Sequence, residues 1–190
     1  MHPWAGFSRF WHSECKKISI SVMLMPESAR DGLDSFDLAI LDILQRDNTI
    51  AHRIIGERVN LSAAAVHRRV RRMQENGVIT GNFAVVDPAR VGQPITIVVE
   101  VEVESERLDL LDAARRSFAA DPAVQQCYYV TGDADFVLIV TVASMSGYDA
   151  LTRRLFFGNH NVRRFRTLVV MDRIKTGLAV QLPNPSREPI

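Results

Sequence analysis

The sequence predicts an α+β chain of two domains. Three observations predict it. Apolar residues recur at helical spacing from Leu33 to Met73. A turn-rich stretch, "DPARVGQP" at 87–94, then interrupts the chain. Beyond it the period drops to two, and strands and helices follow in the order βαββαβ. The boundaries read as an N-terminal extension over 1–32, a helical domain over 33–82, a linker strand or hinge over 83–93, an αβ domain over 94–183 and a tail over 184–190.

Bulk properties narrow the classes. The chain has 190 residues, with 47% apolar and 24% charged side chains, an ordinary globular balance. A formal charge of +1 excludes a generic polyanion binder, so any nucleic-acid site must be a local patch. The two cysteines, Cys15 and Cys127, have no partner at metal-ligand spacing, which points to a reduced, cytoplasmic chain without structural zinc and without a cofactor. No apolar run approaches the ~20 residues of a membrane helix. The extension is aperiodic, carries two tryptophans and is expected to be flexible; its "ISISVMLM" run is short and no good small-residue cleavage site follows, so a signal peptide is not expected.

The helical domain begins with Leu33, Phe36, Leu38, Ile40, Leu41, Ile43 and Leu44 at helical spacing, with Asp34, Asp37, Asp42 and Gln45 facing out. Ile50, Ile54, Ile55 and Val59 predict a second, shorter helix, ended by Asn60, which tolerates positive φ. Ser62 is an N-cap for a third helix whose inner stripe is Val66, Val70 and Met73 and whose end is marked by Gly77. Helix, short helix, tight turn and capped helix make a helix-turn-helix, to which "VITGNFAVVDP" adds a small β wing.

In the αβ domain, Val99, Val101 and Val103 alternate with Glu100, Glu102 and Glu104. Leu108, Leu111, Ala114 and Phe118 mark a helix. "VQQCYYVT" and "DFVLIVTVA" are strands about a "GDA" turn, Tyr148, Leu151, Leu155 and Phe156 mark a second helix, and "VRRFRTLVVMDRI" is the last strand. This is the ferredoxin-like plan. The strand from Asp135 to Val142 is apolar on both faces, and two helices cover only one, so a second copy of the sheet is expected on the other, giving a homodimer.

The basic surface lies on the third helix. With Val66 central to the buried face and ~100° per residue, Ala64, His67, Arg68 and Arg71 fall on the open face, Arg72 beside them and Arg69 on the flank. Arg53, Arg58, Arg68, Arg69, Arg71 and Arg72 face Glu57 alone over that span. Small residues near the helix start admit close approach to bases, and arginine further along can hold guanine O6 and N7. The capped N-terminus at Ser62 and the flanking arginines suit phosphates. The pattern points to double-stranded DNA.

These residues resemble the Lrp/AsnC, or feast/famine, family of transcription regulators. The likeness runs from about Leu33 to about Pro183 and is carried by "LDSFDLAILDILQRDNTI", "GERVNLSAAAVHRRVRRMQENGVITG" and "VTGDADFVLIVTV". The resemblance implies a winged helix-turn-helix joined to an effector domain, with Ser62 to Asn76 as recognition helix. It implies dimers through the sheets, often assembled into octamers, and a small amino acid or related metabolite bound between dimers. By the family pattern the effector site takes in Gly132, Asp133, Asp135 and Thr167. Gly132 permits a tight turn, and Asp135 can accept from a ligand ammonium group, while Asp133 equally fits an ordinary polar turn. The sequence departs from the pattern at Asn60, Asn82, Ala134 and Phe165. The basic "RRFR" at 163–166 is either a solvated edge or the complement of an acidic neighbour in an assembly.

Two other functions compete with this one. A branch with the same plan decarboxylates siroheme and uses histidines near its tetrapyrrole. Here "QQCYYVTGDADF" holds none, and no nucleophile–base or paired-carboxylate arrangement stands elsewhere, so no catalytic residue is expected. A nonspecific nucleoid-type binder that uses phosphate contacts alone is the other alternative.

Overall fold

The computed structural model describes residues 32–183. The extension expected over 1–32, apart from Gly32, and the tail over 184–190 lie outside the described residues. The chain divides into two units: one runs to Asn82 and resumes at Ala179, and the other is Phe83–Leu178. No helix among the described residues is long and apolar enough to cross a membrane.

The first unit is built on α1 (Ser35–Leu44), α2 (His52–Val59) and α3 (Ala63–Glu75). Asp34 caps α1 by accepting from the Asp37 N–H at 2.9 Å, and Asp37 returns the contact by accepting from the Asp34 N–H at 3.1 Å. This is a capping box closed by aspartate. It corrects one sequence expectation. Asp37 does not face solvent; it is fully buried. Its position in the first turn points the carboxylate toward α3, where two arginines meet it. Asn60 ends α2 with φ 56 and ψ 43. Ile40, Leu41, Ile55, Val59, Val66, Val70 and Met73 form the core. Burial of each stabilises the unit by about 1.5–3 kcal/mol.

The C-terminal segment also belongs here, which differs from the sequence expectation that it ends the αβ domain. The Gln45 amide holds the Val180 backbone in both directions: Nε2 donates to the carbonyl at 3.2 Å, and Oε1 accepts from the N–H at 2.7 Å. Leu182 packs on the helical core. The stretch over 78–88, read as a wing, contains no strand within this chain.

The second unit follows the βαββαβ order: β1 (Ile95–Val103), α4 (Leu108–Ala120), β2 (Val124–Tyr129), β3 (Phe136–Val142), α5 (Met145–Thr152) and β4 (Val162–Val169). The sheet order is β2-β3-β1-β4, and all neighbours are antiparallel. Ile97, Val99 and Val101 pair with Val140, Leu138 and Phe136, so these six share the face under α4 and α5. All six are fully buried, with Phe118 and Phe156 over them. The alternate residues Val98, Val137 and Ile139 turn to the other face, where no helix lies over them, and are half-buried.

Two details escape the sequence pattern. Helix α5 runs into a π-helical turn, Arg153–Phe157, which brings Leu155 and Phe156 inward together. Strand β4 stops at Val169, short of the Ile174 to which the last strand was expected to run. Its partner β1 begins at Ile95, just after Pro94, which has no N–H to extend the ladder.

Candidate nucleic-acid interface and the loop of the second domain

Helix α3 is set by its cap and its stripe. Ser62 Oγ accepts from the Ala65 N–H at 3.2 Å. Val66, Val70 and Met73 are buried, which leaves Ala64, His67, Arg68 and Arg71 exposed on one surface. The turn before it depends on Gly56, which the sequence reading did not single out. A Cβ there would stand 2.3 Å from the Leu61 carbonyl oxygen. The turn thus separates two demands. Asn60 supplies the positive φ, and Gly56 supplies the close approach.

The four arginines of α3 are not equivalent. Arg69 Nη1 donates to Asp34 at 2.7 Å and to Asp37 at 2.9 Å, and its guanidinium lies 5.6 Å from the Phe36 ring centroid. Arg72 Nη2 donates to the other Asp37 oxygen at 2.6 Å. Both expected DNA contacts are therefore turned toward α1. Carboxylate bonding holds the Arg69 guanidinium above its ordinary value, through Asp37 first and Asp34 second. Among the described residues Arg71 bonds only Glu75, at 2.8 Å and exposed. Such a pair is worth a few tenths of a kcal/mol, about 0.3–0.5, and exchanges readily for a phosphate or a base. Arg68 has no carboxylate partner among the described residues.

A cavity of about 490 Å³ opens beside this surface. Leu44, Val70 and Ile79 floor it, and Asn48, His52, His67 and Arg71 are on its rim. The His52 and His67 rings lie 5.3 Å apart. Asn48 and His52 were not among the sequence candidates. They come from other elements than α3, so no single-helix periodicity could find them.

The loop from Val130 to Asp135 turns through Gly132 at φ 126. Asp135 Oδ2 accepts from the Val103 N–H at 2.7 Å, and the Asp135 N–H donates to the Val101 carbonyl at 2.9 Å. One oxygen of the expected ammonium acceptor is thus committed to the end of β1. Thr167 pairs with Val99 on the helix-covered face, and its hydroxyl lies 2.6 Å from the Tyr148 hydroxyl. Burial pushes the Tyr148 phenol up, and the Thr167 bond opposes this in part. On the opposite face a cavity of about 660 Å³ is lined by Glu100, Glu102, Asp133, Ala134, Arg164 and Arg166 among others. Of the four expected effector residues Asp133 lines this cavity, whereas Gly132, Asp135 and Thr167 are not part of its lining. The basic stretch at 163–166 finds its acidic complement within the chain. Arg163 and Arg164 bond Glu102, and Arg166 lies 3.6 Å from Glu100. Among the described residues no group of three or more His, Cys, Asp or Glu side chains is placed to hold a metal ion.

Comparisons with known proteins match both units. Residues 33–80 match the winged helix-turn-helix DNA-binding model, and residues 96–180 match the Lrp/AsnC ligand binding domain model. An uncharacterized HTH-type transcriptional regulator of Sinorhizobium fredii is 42% identical over 150 residues, 79% of this chain and 89% of that one. The glutamate uptake regulatory protein of Zymomonas mobilis is 33% identical over 154 residues, 81% and 93% of the two chains. The crystal structure of an AsnC family transcriptional regulator from Agrobacterium tumefaciens superposes with a TM-score of 0.73 at 30% identity, covering 78% of this chain and 97% of that one. A capped, arginine-bearing third helix in one unit and a β2-β3-β1-β4 sheet in the other thus carry matching sequence over their full span, and the chain belongs to the Lrp/AsnC family of DNA-binding transcriptional regulators.

Proposed function

We propose that this chain binds double-stranded DNA sequence-specifically, as a homodimer, and that a small amino acid or related metabolite modulates its DNA affinity or assembly. The observation that carries the reading is the single exposed surface of α3. Ala64, His67, Arg68 and Arg71 share it, above a fully packed stripe. Small side chains at the start allow the helix into the major groove, and Arg68 and Arg71 then reach base edges. Ser62 and the free N–H groups of the helix start meet a phosphate.

Dimer formation is supported by apolar surface left open among the described residues. Phe83, Val85, Val86, Met171 and Ile174 are exposed, and Val137 and Ile139 are half-buried on the open sheet face. Modulation by a ligand is supported by the cavity beside the Gly132 turn. It presents carboxylates (Glu100, Glu102 and Asp133) and guanidinium groups (Arg164 and Arg166) together. That mixture suits a zwitterion, whose ammonium and carboxylate need opposite partners. Within this reading Asp133 contacts the ligand, Gly132 and Asp135 shape the turn, and Thr167 braces β4 through Tyr148.

The test is selection of duplexes from a random pool by the full-length chain, followed by salt titration on selected and random DNA. Preferential binding of the selected duplex, on the order of 10³-fold or more, supports the reading. Equal affinity for both at every salt concentration would instead identify a nonspecific, phosphate-bound packaging protein.

A further inference from the structure

The buried Asp37 lies at the foot of the DNA-binding helix, and nothing in its own helix requires a charge there. A carboxylate fully removed from water is costly unless it is paired and hydrogen-bonded. Asp37 accepts from three donors: the Asp34 N–H at 3.1 Å, Arg69 Nη1 at 2.9 Å and Arg72 Nη2 at 2.6 Å. The start of α1 also favours a negative charge. Arg69 takes a second bond from Asp34 at 2.7 Å, so two carboxylates and two guanidinium groups close a neutral cluster.

The geometry of the cluster is directional. Arg69 and Arg72 are three residues apart, so they lie one turn apart along the same flank of α3. Each is held by a different oxygen of one carboxylate. Two anchors along one flank fix the rotation of a helix about its axis, whereas an apolar stripe such as Val66, Val70 and Met73 resists rotation only through packing. The azimuth of α3 decides which side chains face outward, and here these are Ala64, His67, Arg68 and Arg71.

We infer that Asp37 is a positioning residue for the recognition helix: through Arg69 and Arg72 it sets the rotation at which Arg68 and Arg71 reach base edges, and it withholds those two arginines from the phosphates. The inference rests on the DNA reading above. It divides the basic helix into two arginines that read and two that hold. Sequence specificity then depends on a residue that never touches DNA.

The experiment uses the full chain, a duplex selected from a random pool, a random duplex, and amide chemical shifts of α3 without DNA. Asp37→Asn keeps the shape and the capping acceptor and removes the charge. Its affinity for the selected duplex falls about 10- to 100-fold, the loss of one or two base contacts. Its affinity for random DNA stays level or rises, and the salt slope on random DNA steepens by about 1–2 as Arg69 and Arg72 reach phosphates. The amide shifts from Ala64 to Arg72 move in the DNA-free protein. Arg72→Gln, at a half-exposed position where Arg69 still holds the carboxylate, lowers the selected-to-random ratio in the same direction, and it decides the matter if Asp37→Asn does not fold. Equal loss on both duplexes, leaving the ratio at its wild-type value, overturns the inference, because a carboxylate that only stabilises the fold would act that way. Unmoved α3 shifts, in a protein whose wild type still prefers the selected duplex, overturn the inference alone. A wild-type chain that selects no duplex overturns the DNA reading and this inference with it.

Discussion

Arg68, Arg69, Arg71 and Arg72 share one helix, and their neighbours decide what each does. Arg68→Ala and Arg71→Ala should each cost ~1–3 kcal/mol of binding at a selected duplex while leaving unfolding unchanged. Titration of labelled DNA beside denaturant unfolding checks both halves of that statement. Arg69→Ala should lower the stability of the fold as well as the affinity for the selected duplex. It strips one partner from a fully buried carboxylate that Arg72 still holds, a loss of unfolding stability on the order of 2–3 kcal/mol. Gly56→Ala sets a methyl against the Leu61 carbonyl and should destabilise the DNA-binding unit by about 1–3 kcal/mol or more. The charge on Asp34 has a pH signature. Desolvation works against its ionised form, but the Asp37 N–H and the Arg69 guanidinium outweigh this and hold its carboxyl below the usual range. A depressed folded-state value means stability that is present above the unfolded value, about 3.9, and lost as pH falls through the folded one. Asp34→Asn retains a capping side chain, so its deficit in melting temperature should be full at neutral pH and should shrink below about pH 4. A deficit that is constant with pH would assign the effect to capping alone.

At the scale of elements, the sequence was legible wherever one periodicity meets one buried face. The stripe Val66, Val70 and Met73, the alternation of Val99, Val101 and Val103, and the caps Ser62 and Asn60 were readable because each depends on residues within a few positions. Asp37 was misplaced because its partners lie 32 and 35 residues away, and helical spacing alone cannot see them. The signal was present in another form. Asp34 and Asp37, three apart before an apolar run, make a capping pair, which ties the Asp37 carboxylate back to the Asp34 N–H and so to the base of the helix. The cavity rim at Asn48 and His52 was invisible for the same reason. The return of Ala179–Leu182 to the helical unit had no local signal either, because its partners, Gln45 and the core that Leu182 packs on, lie far away in sequence. The part played by Gln45 can be tested. The Val180 N–H is held only by Gln45 Oε1, so Gln45→Ala should speed its hydrogen exchange about tenfold, matching a net ~1 kcal/mol hydrogen bond, while Ile55 and Val66 in the core exchange as before.

For the whole molecule, the argument turns on how a ligand on one unit can alter what the other binds. A ligand shifts an equilibrium only by its difference in affinity between two arrangements. The sheet face that would hold it already contains a closed set of charges, with Glu102 against Arg163 and Arg164 and Glu100 near Arg166. A zwitterion entering beside Asp133 competes for those partners and rearranges the face that the dimer reading places against a second copy. Two consequences are then tied together. An amino acid that raises the melting temperature should change DNA affinity or oligomer size by a coupling of ~1–3 kcal/mol. Asp133→Ala should remove the response while basal DNA binding persists, because Asp133 is exposed and bonds nothing that the fold depends on. Asp135→Ala should also remove it, but with a further loss of about 1–3 kcal/mol in stability, since the Val103 N–H then loses its acceptor. A thermal-shift screen of amino acids, followed by DNA titration and sedimentation of both variants with the best ligand, separates these outcomes. An Asp133→Ala protein that responds as the wild type does would move the ligand away from this cavity. A ligand that raises the melting temperature without changing DNA binding or assembly would leave the cavity occupied but uncoupled.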